Sequence, residues 1–167
     1  MSTRKLHLAQ FNIADARFET DQPEMHGFTS RIEAINTLAE RSTGFVWRLV
    51  DDGPDDGALN VRMEGLGETT LINMSVWDTL ELLYSFVYQT AHAKVMRGKN
   101  NWFNPMIRPH MVLWWIEAGH RPDLDEAYKK LMLIRDTGPT PQAFSFDVPF
   151  GQDGRPITPP TQRKACA

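Results

Sequence analysis

The sequence has one cysteine, Cys166, next to last in a chain of 167 residues. A lone thiol excludes a disulfide framework within the chain and suits a reducing compartment, so a cytoplasmic setting is expected. No apolar run reaches about 18 residues, so no membrane-spanning helix is expected. The opening MSTRKLHLAQ lacks the apolar core of a secretory leader. Cations are outnumbered, 18 Lys and Arg against 21 Asp and Glu, for a net charge of −3 and no basic run. Contacting a phosphate backbone needs clustered cations, which argues against a dedicated nucleic-acid binder. Also missing are HExxH or Cys/His clusters for zinc, GxGxxG and GxxxxGK[ST] loops for phosphates, and a GxSxG nucleophile elbow. The aspartates of DDGPDDG, Asp51 to Gly57, lack the alternating ligands and closing glutamate of an EF-hand, and read as a turn.

What is present is an ordinary globular composition, 41% hydrophobic and 23% charged, in a length that suits one domain. Leu6 to Ile13 alternates as a strand, with Ala9, Phe11 and Ile13 on one face and Leu8, Gln10 and Asn12 on the other. Phe28 to Arg41 has the spacing of an amphipathic helix. Phe45 to Val50 reads as a second strand, with Phe45, Trp47 and Leu49 pointing one way and Arg48 the other. Thr70 to Trp77 is a third, with Ile72, Met74 and Val76 opposite Asn73, Ser75 and Trp77. Asp78 and Glu81 have the spacing of a capping box for the next helix, and His92 lies near its end. Met111 to Glu117 is a fourth strand, apolar on both faces. Asp123 and Glu126 open a helix that stops at Gly138. Phe144, Phe146, Val148 and Phe150 alternate as a short strand or arm. Gly151 to Ala167, with three prolines and no periodicity, is expected to be loosely held.

The order βαββαβ predicts an α+β ferredoxin-like sandwich over residues 1–150, a four-stranded antiparallel sheet with helices on one face, followed by an extra helix and arm. The other face would then carry Gln10, Asn12, Asn73, Ser75 and Trp77, joined by Trp47 or Arg48. Tryptophan mixed with amides suits a ligand cavity better than open surface. A second copy packed sheet against sheet would cover it, so a homodimer is expected. Trp102 and Trp115 complete the candidate substrate-binding set. His92 is the candidate general base, since imidazole titrates near neutrality. A plainer role for His92 is a helix-end histidine bonded to free carbonyls. Arg48 between two valines fits either an anion contact or a pairing with a carboxylate.

The segments FNIA, GFVWRL, NMSVWDTLELLYSFVYQTAHAKVM and PHMVLWWIEAGHRPDLDEAYKKLMLIRDTGPTPQAFSF resemble the DUF3291 family, over about Leu6 to Phe150. The resemblance implies the dimeric α/β-barrel superfamily, with antibiotic-biosynthesis and heme-degrading monooxygenases as relatives. In the heme-degrading relatives an Asn on the first strand, a Trp ending the third and a His on the following helix line the pocket. Asn12, Trp77 and His92 occupy similar places here, with a longer interval of 15 residues from Trp77 to His92. The expected function is therefore a small-molecule tailoring enzyme, monooxygenase-like, acting on an apolar or aromatic substrate. It would work without a cofactor, or with heme ligated by His92 or His110. The alternatives are a dimeric module that binds a hydrophobic ligand or heme without turnover, and a structural dimer.

Overall fold

The computed structural model describes residues 4–52 and 57–160, so Cys166 and the middle of the DDGPDDG turn lie outside the described residues. Strand β1 runs Leu6–Ala16, followed by the short helix α1 (His26–Thr29), α2 (Ile32–Arg41) and β2 (Phe45–Arg48). Strand β3 (Thr70–Trp77) leads into α3 (Leu80–Gln89), α4 (Ala91–Arg97) and α5 (Lys99–Trp102). A two-residue strand, β4 (Phe103–Asn104), precedes β5 (Met111–Glu117) and α6 (Leu124–Thr137). The five strands form one antiparallel sheet. β1 is central: β3 pairs along one edge, and β5 then β4 share the other. β2 continues the sheet beyond β3. This is the expected ferredoxin-like order, with β4 as an addition.

The layers differ from the expectation. Ala9, Phe11 and Ile13 of β1, Ile72, Met74 and Val76 of β3, and Val112, Trp114 and Ile116 of β5 are packed by Ala127, Leu131 and Ile134 of α6. The opposite face holds Leu8, Trp77 and Leu113 against Ala39 of α2 and Leu80, Leu83 and Phe86 of α3. Phe144 and Phe146 of the arm join this second layer, and Phe144 pairs backbone to backbone with Leu113 of β5. Both faces are thus covered within one chain, which is why β5 is apolar on both sides. The face expected to need a second copy is instead the one beneath α2 and α3. Sheet-against-sheet pairing through it would require those helices to leave.

Local chemistry explains other differences. A bulge between Phe45 and Trp47 inverts the strand alternation, so Phe45 packs with Trp77 while Trp47 goes to the α6 side. The expected helix from Phe28 is split, with α1 and α2 separated at Ser30 and Arg31. Thr79, not Asp78, caps α3, its side chain accepting from the Leu82 N–H at 3.2 Å. Asp123 caps α6 as expected, accepting from the Glu126 N–H at 2.8 Å. The expected loose tail does not begin at Gly151. The Gly151 N–H bonds the Arg155 carbonyl, the Ile157 N–H bonds that of Pro149, and Ile157 packs on the α3 side.

Gly44 joins α2 to β2 at φ +85°, a region that penalises a Cβ. An added Cβ would stand 2.9 Å from the Leu82 Cβ and closer still to its Cδ1. Gly44→Ala is expected to cost about 1–3 kcal/mol, seen as a lower urea midpoint with unchanged slope.

Candidate functional site

Side chains alternate along a strand, so residues two apart on β1 and β3 share the face under α3. Along β1 these are Leu8, Gln10, Asn12, Ala14 and Ala16; along β3 they are Trp77, Ser75, Asn73 and Leu71. Their two ends belong to different apolar clusters. Leu8 and Trp77 lie with Phe86, Leu83 and Phe144. Ala16 and Leu71 lie with Trp102 and Met25, flanked by Phe28, Val95 and Phe103. Between the clusters runs a polar strip of Gln10, Asn12, Asn73 and Ser75, with Gln10 opposite Ser75 and Asn12 opposite Asn73. Met111 of β5 faces Asn12 from the other side. Two aromatic walls with amides between them are a ligand-site composition.

The strip is internally bonded. The Trp77 indole N–H donates to the Ser75 hydroxyl at 3.0 Å. That hydroxyl donates to Gln10 Oε1 at 2.9 Å, and Gln10 Nε2 donates to Asn12 Oδ1 at 2.5 Å. Trp77 is 1% exposed, Gln10 7% and Ser75 8%. Asn12 is half-buried and Asn73 exposed, so these two are the members that a ligand can reach.

His92 stands at the break between α3 and α4. Thr90 makes the break: its hydroxyl donates to the Phe86 carbonyl at 2.5 Å and accepts from the His92 N–H at 3.2 Å. Phe86 packs in one cluster and Val95 in the other, so the segment carrying His92 crosses between the walls. His92 Nδ1 lies 3.1 Å from the Val87 carbonyl. A carbonyl only accepts, so Nδ1 carries the proton and Nε2 keeps a lone pair. Burial lowers the His92 pKa below its ordinary 6.5, against the opposing pull of the Val87 hydrogen bond. The ring is therefore neutral at pH 7. The helix-end carbonyl contact is real, and it leaves the basic nitrogen free. His92 also packs on Phe86 at 5.2 Å, and Phe86 stacks on Trp77 at 5.1 Å.

The remaining candidates are dispersed. Trp102 is in the second wall, 7% exposed, with the Arg31 guanidinium over its ring at 5.9 Å. Arg48 is bound to Glu40 of α2 at 2.8 Å, which is the carboxylate pairing. Trp47 packs on the α6 side of the sheet, away from the strip. Trp115 anchors the arm, its indole donating to the Phe150 carbonyl at 2.9 Å. His110 is exposed, and its carbonyl accepts from the Ile13 N–H. His120 lies 2.6 Å from Glu126, whose other oxygen accepts from Trp114. Phe86 was missed from the sequence, although it lies three residues from Leu83 and six from Leu80 on one helix face. Thr90 was missed as well, since its capping role depends on the chain turning there.

Heme does not fit this arrangement. Phe86 fills the space between Trp77 and His92, and the edge of Phe45 closes on Trp77 from 5.5 Å. Among the described residues no group of three or more His, Cys, Asp or Glu could hold a metal ion. No helix among them is long and apolar enough to cross a membrane.

The profile of a family described as "Domain of unknown function (DUF3291)" matches residues 7–159. No curated protein matches in sequence. A Nitrosomonas europaea protein of unknown function is 11% identical, covering 72% of this chain and 97% of its own, with a TM-score of 0.43. SnoaB, a cofactor-independent oxygenase from Streptomyces nogalater, is 13% identical over 71% of this chain and 96% of its own, TM-score 0.43. A conserved Methanosarcina mazei protein is 9% identical over 68% and 93%, TM-score 0.44. None of these likenesses carries an argument about chemistry.

Proposed function

The chain belongs to the DUF3291 family, and from the wall between its two aromatic clusters we propose a small-molecule tailoring enzyme, monooxygenase-like, for an apolar or aromatic substrate. The observation that carries this reading is His92, neutral at pH 7 with Nε2 unprotonated, on the segment that crosses an amide strip between aromatic walls. A general base is most efficient when its pKa lies near the working pH and its lone pair is free, and His92 Nε2 keeps its lone pair.

In this reading the substrate's rings lie against the Phe86 and Trp102 walls, and an oxygen of the substrate meets Asn12. His92 removes a proton from an adjacent C–H. The resulting carbanion, delocalised onto that oxygen, reduces dioxygen. For a methylene group the balance is one methylene and one dioxygen giving one carbonyl and one water, with His92 returning its proton to the departing water. No cofactor is needed for the electron count. The superfamily resemblance stated from the sequence suggests the reaction class; the residues suggest the roles.

The test is dioxygen uptake by the purified protein with a panel of enolisable aromatic ketones. Uptake with one oxygen atom from 18O2 in the product supports the reading. Ligand binding without uptake would leave a binding module, the second function expected from the sequence. Hemin addition serves as a control: a Soret shift that disappears in His92→Ala would overturn the cofactor-free version.

A further inference from the structure

Where α3 gives way to α4 and α5, a cleft of about 380 Å³ opens on the surface, lined by Tyr88, Ala93, Met96, Arg97, Lys99 and Asn100. None of Gln10, Asn12, Asn73, Ser75 and His92 lines it, so it is separate from the amide strip. Helical spacing builds one side of it. Met96 and Arg97 come three and four residues after Ala93, and Asn100 comes four and three after them. Tyr88, near the end of α3, adds an aromatic wall. Tyr84 at 4.7 Å and Phe146 at 5.8 Å hold its ring, and Tyr88 is still 45% exposed. The chain carries a net charge of −3, yet this cleft is lined by two cations and no carboxylate. None of the ion pairs among the described residues includes Arg97 or Lys99. A cation in the last turn of a helix is ordinary, and Arg97 stands there in α4. That role does not extend to Lys99, which opens α5, nor does it require both cations to line one concavity with an exposed aromatic ring.

We propose that this cleft is a binding site for small aromatic carboxylates, with the ligand's ring against Tyr88 and Met96 and its carboxylate held by Arg97 and Lys99. A guanidinium presents a planar fork that matches a carboxylate with two parallel bonds, and an ammonium adds a compact charge. Exposed cations alone hold an anion weakly, because water screens them. The aromatic and thioether walls supply the rest, so the cleft selects anions that carry a flat apolar body over acetate or an inorganic ion. This site depends neither on the strip as a ligand wall nor on His92.

The probe is 2-naphthoate, and 2-naphthalenemethanol is its neutral counterpart of similar shape. Backbone 15N–1H signals of the full chain locate the binding. At millimolar concentration 2-naphthoate is expected to shift the signals of Ala93 to Asn100 saturably and to leave those of Gln10, Asn12 and Ser75 in place. The alcohol is expected to bind about tenfold more weakly, the scale of a charge-assisted hydrogen bond, and acetate weaker still. Arg97→Gln and Lys99→Gln are each expected to weaken 2-naphthoate about threefold to tenfold, the lower end reflecting solvent exposure. Both residues are exposed, so neither change disturbs the core. Tyr88→Leu keeps apolar volume, removes the aromatic face and is expected to cost a factor of about threefold. No saturable shift between Ala93 and Asn100 would overturn the site. Equal binding of the acid and the alcohol would overturn anion recognition, and unchanged affinity in both glutamine variants would overturn the roles of Arg97 and Lys99. Shifts confined to the strip would overturn this site while supporting the strip as a ligand wall, so the two readings fail separately.

Discussion

His92→Ala is expected to lower dioxygen turnover by about 10²- to 10⁴-fold, the usual contribution of a general base, with substrate affinity little changed. The separation follows from the geometry. The contacts His92 makes are with the Phe86 ring and the Val87 carbonyl, not with Gln10, Ser75 or Asn12 of the strip. Removing the imidazole should spare the amide strip and remove the proton acceptor. The pH profile carries the sign. Burial lowers the pKa of the folded ring below 6.5, so the free-base form persists at neutral pH and is lost only as the pH falls through that lower value. The acidic limb of kcat/KM should therefore lie below pH 6.5 and vanish in His92→Ala. The same shift affects folding. Below pH 6.5 the unfolded chain takes up this proton before the folded one, so stability falls as pH drops toward the folded value. His92→Ala should flatten that part of the stability curve. A turnover loss under tenfold, or an acidic limb that survives the substitution, would remove His92 from the reaction.

Trp114→Ala is expected to cost about 3–5 kcal/mol, the range for truncating a buried aromatic and a large part of the 5–15 kcal/mol that holds a typical domain together. Trp114 is 1% exposed and lies among the β1, β3, β5 and α6 residues of the larger core. Its indole donates to Glu126 Oε1 at 2.9 Å, while Glu126 Oε2 lies 2.6 Å from His120. The substitution thus leaves a cavity and strips one bond from a carboxylate that helps dock α6. Guanidinium unfolding measures the cost. Trp114→Phe retains most of the packing and loses only the bond, so it should cost about 1 kcal/mol. A second measurement addresses what α6 covers. If α6 loosens, the apolar face of Phe11, Met74 and Val112 becomes available, and the Trp114→Ala chain should self-associate in sedimentation at micromolar concentration where the wild type does so less. Equal association, or a cost below 1 kcal/mol, would show that α6 is not what protects this face.

The strands could be read from the sequence because period-two alternation is a local signal. Leu6 to Ile13, Thr70 to Trp77 and Met111 to Glu117 each declare two faces, and β1 and β3 declare their amides. Local signals also marked the Asp123 cap and the stop at Gly138. Register was beyond them. That Gln10 stands opposite Ser75 follows from pairing between residues 65 positions apart, and only that pairing brings the separate side chains into one bonded strip. Trp47 shows the same limit in reverse: alternation put it with Phe45, and one bulged residue sent it through the sheet. His92 was visible as a histidine near a helix end. Its tautomer and lowered pKa depended on Thr90 breaking the helix and on Phe86 burying the ring.

By itself, then, the sequence determined the family, the βαββαβ order and the residue types of the site, because each is written in contiguous residues. It could not decide which side of the sheet the helices take. An amide-bearing face with a tryptophan looks the same whether a helix or a second chain covers it, since alternation says what shares a face and not what lies across it. The tertiary structure put α2 and α3 over that face and α6 over the other. In doing so it framed the site as a strip between two aromatic clusters of one chain.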